Sequence, residues 1–149
     1  MSKTEHWVGT WSNTPAMADG VAFNNQTIRM YARVSIGGET LRIRLSNAYG
    51  AKPLTIGAVH LGRGEHGGSI IASSDRKVTF GGAEGTTIAA GAYVISDPVS
   101  LAVGPLSDLA VSVYLPDDVP ANCGLRADTR GKRTFSRLRE TSAVPSKCR

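Results

Sequence analysis

Long apolar runs are missing from this chain. No segment approaches the roughly 20 apolar residues of a membrane span. The opening MSKTEHWVGTW carries no apolar stretch of secretory length either. As written the chain reads as cytoplasmic, or as secreted if a leader was removed. Cysteine is scarce, with 2 in all, Cys123 and Cys148. A structural zinc site wants four ligands, and no histidine lies near these thiols in sequence. They read as two unrelated thiols, or as a disulfide in an oxidising compartment. Sustained helical periodicity is also absent. With 17 glycines and 7 prolines in 149 residues, that absence points to an all-β chain with many turns.

Catalytic signatures are missing too. There is no GxSxG elbow, no Gly-Asp-Ser block and no Asp-x-x-His pair. The three histidines are His6, His60 and His66. His60 shares parity with Leu54, Ile56 and Ala58, and reads as capping a strand end. His66 sits in a glycine loop and His6 near the terminus. A Ser-His-Asp triad is defined by geometry and can be built from distant residues, but nothing here nominates one. No spacing of His, Cys and Asp matches a metal site. No glycine-rich loop leads from a strand into a helix, so a nucleotide has no cradle. The expectation is therefore no cofactor and no metal.

What is present is a charge division. Residues 121–149 hold eight basic side chains against two acids, a net of +6. Residues 1–120 hold nine against ten, a net of −1. The pI of 9.6 thus describes a nearly neutral domain with a basic tail. The tail has few large apolar residues (Leu125, Phe135, Leu138 and Val144) and they share no period. Such a segment is expected to be disordered or loosely attached. Nucleic-acid binding by the tail ranks last, because Phe135 is its one aromatic. The expected division is a β-domain over 1–120 and a tail over 121–149.

Within the domain, Ile28, Met30, Ala32, Val34 and Ile36 share one parity, and Arg29, Tyr31, Arg33 and Ser35 the other. Period two marks a strand with one buried face. Leu41, Ile43 and Leu45 alternate with Arg42, Arg44 and Ser46 in the same way. Gly37 and Gly38 between them read as a two-residue hairpin turn. That register sets Val34 against Leu41 and Ala32 against Ile43, so inward residues meet inward residues. It also sets Arg33 against Arg42 and Tyr31 against Arg44. Like charges across a ladder are unfavourable. The face Arg29, Tyr31, Arg33, Arg42, Arg44 is then either solvated beside acids of a neighbouring strand, or a docking surface for a partner domain or an anionic ligand.

Further alternation at 54–58, 99–103 and 109–115, with extended pieces near 70–71, 78–80 and 93–95, makes about eight strands. That is the spacing of a β-sandwich or jelly roll. Trp7, Gly9 and Trp11 would share a face of a first strand. Two indoles flanking a glycine read either as core or edge packing or as a carbohydrate-stacking platform.

These stretches together resemble a known family. HWVGTWSNTP (6–15), FNNQTIRMYARVSIGGETLRIRLSNAYGAKPLTIGAVHLG (23–62), SDRKVTFGG (74–82) and AGAYVISDPVSLAVGPLSDLAVSVYLP (90–116) are similar to the N-terminal β-domain of SGNH (GDSL) hydrolases, lipase- and esterase-like proteins. The resemblance implies a small jelly-roll-like domain that precedes a catalytic α/β hydrolase domain. It implies ester hydrolysis by a serine nucleophile with a histidine base in the whole enzyme. Nothing after about residue 122 resembles the family, and no catalytic position is present to carry over. The chain is therefore expected to be a non-catalytic accessory domain, a truncated fragment whose tail looks out of frame. Its partner would be the catalytic domain, with homo-oligomers through an exposed sheet edge. The alternative is a free-standing carbohydrate-binding sandwich.

Overall fold

The computed structural model describes residues 6–12, 22–65 and 68–119. The basic segment 121–149, with Cys123 and Cys148, lies outside the described residues, as does His66. The described chain is all-β. Four strands, β1 (Gln26–Arg33), β5 (Ala58–Arg63), β6 (Arg76–Val78) and β10 (Asp108–Leu115), make one antiparallel sheet in the order β1-β10-β5-β6. The other six pair antiparallel in twos. These are β2 (Gly38–Leu41) with β9 (Val99–Val103), β3 (Arg44–Ser46) with β8 (Tyr93–Ile95), and β4 (Leu54–Ile56) with β7 (Thr86–Ile88). One apolar cluster fills the space they share, from Ile28 and Val34 through Leu45, Ile56 and Leu61 to Leu101, Val113 and Leu115.

The alternation read from sequence holds for most faces, but Ile36, expected inward with Val34, is 45% exposed, because β1 ends at Arg33 and the chain no longer follows a strand there. Ile28, Ala32 and Val34 are buried, and β9 and β10 turn Val99, Leu101, Val103, Leu109, Val113 and Leu115 inward. Partner choice is different. The expected hairpin about Gly37 and Gly38 does not form. β1 pairs along its whole length with β10, Gln26 opposite Leu115 through Arg33 opposite Asp108, while β2 pairs with β9. The physical reason is visible at both ends of the misread turn. A full-length partner matches every inward residue of β1, and Arg33 meets Asp108 at 3.5 Å instead of Arg42. Gly37 serves close approach: a Cβ there would lie 2.4 Å from the Val103 carbonyl oxygen. The two-glycine hairpin turn is at Gly81 and Gly82, with φ of 62° and 83° and Phe80 and Ala83 exchanging backbone hydrogen bonds. Two successive positive φ values are the signature of the turn whose twist suits a hairpin.

The run 41–46 is one ladder with a jog. β2 and β3 face β9 and β8, and residues 42–43 oppose 96–98 across an irregularity. There the Ile43 N–H donates to the Ser96 hydroxyl at 3.1 Å, and the Ser96 N–H donates to the Ile43 carbonyl at 2.9 Å. A second jog at Gly57 separates β4 from β5. The Gly57 N–H donates to the Tyr114 carbonyl, and the tyrosine ring occupies the space a Cβ would need. Parity flips across it, so Val59 and Leu61 are buried after Leu54 and Ile56. His60 consequently sits mid-strand and faces outward, which corrects its reading as a strand-end cap.

Candidate functional site

Strand register sets a polar row across the outer face of the four-stranded sheet. Arg29 on β1 lies opposite Ser112 on β10, Ser112 opposite His60 on β5, and His60 opposite Lys77 on β6. Arg29 Nε donates to Ser112 Oγ at 3.0 Å. His60 Nδ1 and Asp75 Oδ2 are 2.9 Å apart. Lys77 Nζ donates to Glu84 Oε1 at 2.7 Å. The Glu84 carboxyl is held below its usual range, chiefly by that hydrogen bond and then by the lysine charge. Residues 68–74 lie against the adjoining part of this face. Tyr31 donates its hydroxyl hydrogen to the Ser69 carbonyl, and Arg29 reaches the Gly68 carbonyl. On this face Ala110 is buried and Ser112 is 8% exposed.

A serine, a histidine and an aspartate are thus neighbours. Their arrangement is not that of an activated nucleophile. Among the described residues no hydrogen bond joins Ser112 to His60. The serine oxygen is turned to the guanidinium, whose positive charge has no proton-accepting lone pair. Asp75 and His60 are fifteen positions apart in sequence, and only the pairing of β5 with β6 brings them together. No sequence motif could have flagged them. Among the described residues, no group of three or more His, Cys, Asp or Glu side chains gathers as a metal site. No helix there is long and apolar enough to cross a membrane.

The five residues read as one docking face are divided. Arg29, Tyr31 and Arg33 stand on β1 in the four-stranded sheet, whereas Arg44 opens β3, paired with β8, and Arg42 lies between β2 and β3, outside that sheet. The division follows from the unformed hairpin. Arg42 and Arg44 instead meet aromatic rings. The Arg42 guanidinium carbon lies 4.6 Å from the centroid of the Trp7 ring, and that of Arg44 lies 4.8 Å from Tyr93. Both are within cation–π range. Trp7 and Trp11 are 43% and 42% exposed, so neither indole is core. The described residues 6–12 form no strand; Thr10 pins them beside Ser35 and Ile36 through backbone and hydroxyl hydrogen bonds.

Asp97 feels the charge of Arg42. Its carboxylate accepts hydrogen bonds from the Thr79 hydroxyl and from the Gly81 and Gly82 N–H groups. Those bonds, the Thr79 one first, hold its carboxyl below the usual range, and the Arg42 charge adds a smaller pull. No protein-family model matches the chain, and the curated proteins contain no match to it.

Proposed function

We propose that this chain is a non-catalytic β-sandwich domain of jelly-roll type belonging to an SGNH (GDSL) carboxylic-ester hydrolase. The ordered run of family-like stretches from residue 6 to residue 116 supports the assignment. The observation that carries the non-catalytic part is Ser112 Oγ accepting from Arg29 Nε while Asp75 holds His60. The catalytic α/β domain is its partner in this reading, and the outer edge of β1 is where two copies would pair. The test is hydrolysis of a short-chain p-nitrophenyl ester by the purified protein, with and without a serine-reactive inhibitor. No turnover is expected. Inhibitor-sensitive turnover that disappears in Ser112→Ala would overturn the reading.

A second reading, a carbohydrate-binding module, is favoured by one observation: Trp7 and Trp11 are exposed rather than packed into the core. Flat aromatic faces in reach of solvent are what sugar rings stack on. Titration with oligosaccharides followed by tryptophan fluorescence tests it, and an unchanged spectrum across the series counts against it.

A further inference from the structure

We propose that Trp7, Arg42, Arg44 and Tyr93 form a binding site for an acidic polysaccharide. Its uronate carboxylates would sit on the two guanidinium groups and its sugar rings against the two aromatic side chains. The proposal rests on the carbohydrate-binding reading and adds the charge of the ligand and the residues that take it.

Arg42 and Arg44 alternate with Ile43, which packs against the core, so both point to solvent. Two positions along extended backbone separate them by roughly 6–7 Å. Each guanidinium lies over a ring, Arg42 over Trp7 and Arg44 over Tyr93. Stacking occupies the flat face of a guanidinium and leaves its in-plane N–H fork directed sideways. That fork matches a carboxylate in two parallel hydrogen bonds. Holding the long side chains against rings also lowers the rotamer freedom that binding would otherwise remove. Among the described residues, no carboxylate lies within ion-pair distance of either arginine. Asp97, whose carboxyl feels the Arg42 charge, has its oxygens engaged by Thr79, Gly81 and Gly82. The rings keep surface to offer, Tyr93 being 59% and Trp7 43% exposed. Ile95, paired with Arg44 across the ladder and also exposed, extends the apolar floor. Two forks that meet no acceptor among the described residues call for an anion. Rings beside them call for a ligand with flat apolar faces. A chain of uronic acids supplies both.

The test uses the full chain, with oligogalacturonate as the acidic probe, cello-oligosaccharide as the neutral one and poly-L-glutamate as a non-sugar polyanion. Calorimetry and tryptophan fluorescence read the binding. Oligogalacturonate is expected to bind, roughly tenfold or more weaker in R42Q/R44Q, the loss of two charged hydrogen-bonding groups. It is also expected to weaken in Tyr93→Ala. R137Q/R139Q, which removes the same charge from the basic segment, is expected to bind as the parent does. All these side chains are exposed or lie outside the described residues, and circular dichroism checks that the variants fold. Equal loss in R137Q/R139Q overturns the site. Equal affinity for poly-L-glutamate overturns the sugar and points to an acidic protein surface. Binding of the neutral oligosaccharide as tight as the acidic one overturns the charge preference and leaves the carbohydrate reading standing. No binding of either sugar overturns both.

Discussion

Asp97 accepts a 2.6 Å hydrogen bond from the Thr79 hydroxyl while its own N–H donates to the Thr79 carbonyl. The pair ties the approach to β9 to the turn at Gly81 and Gly82. Because the folded carboxyl is held below its unfolded value, the unfolded state binds the proton more readily. The resulting stability is present above the unfolded pKa and is lost as pH falls through the folded one. Urea midpoints measured from pH 7 down to pH 3 are expected to fall more steeply in the parent than in Asp97→Asn. Parallel profiles would remove Asp97 from the acid response.

Asn47 is 1% exposed, and its side-chain nitrogen donates to the carbonyls of Lys52, Ile88 and Ala89. It joins the end of β3 to the end of β7. Asn47→Ala leaves those carbonyls short of a donor and opens a gap, so a loss of about 1–3 kcal/mol is expected. Chemical denaturation at neutral pH measures it. Gly50→Ala is expected to disturb the same junction, since a Cβ there would lie 1.8 Å from Asn47 Oδ1.

Gly37 and Gly9 make a matched pair of alanine substitutions. Gly37→Ala meets the Val103 carbonyl and the Gly104 backbone, neither of which can rotate away. A loss of about 1–3 kcal/mol is expected. Gly9 has nothing within 4 Å of a Cβ, so Gly9→Ala is expected to be near neutral. Thermal midpoints compare the two.

Leu61 is fully buried in the shared core. Leu61→Ala is expected to cost about 2–5 kcal/mol through lost burial and the cavity left behind. Arg33→Ala, which removes an ion pair with both side chains at least half exposed, is expected to cost less than about 1 kcal/mol. Denaturant titration separates these by their midpoints.

The alternating residues of β1, β9 and β10 announced which side chains face inward, because side-chain direction in a strand follows from parity alone. The partner of β1 was not legible in this way. Gly37 and Gly38 carry the composition of a hairpin turn, yet neither takes a left-handed φ, and the next strand leaves for another ladder. Gly81 and Gly82 carry the same composition and do make the turn. Two identical dipeptides differ by what surrounds them.

The candidate site divides along the same line. That Arg42 and Arg44 would be exposed, and that Trp7 was an aromatic to account for, could be read from the chain. That each arginine would lie over a ring, and that Arg29, Ser112, His60 and Lys77 would stand in one row, depended on strands distant in sequence becoming neighbours. The amino-acid sequence by itself determined the all-β class, most faces of the strands and the concentration of basic charge in residues 121–149. These follow from local backbone geometry and composition. Only the tertiary structure decided strand partners and side-chain neighbours, because hydrogen-bond ladders and core burial reward the arrangement that satisfies the whole set of strands at once.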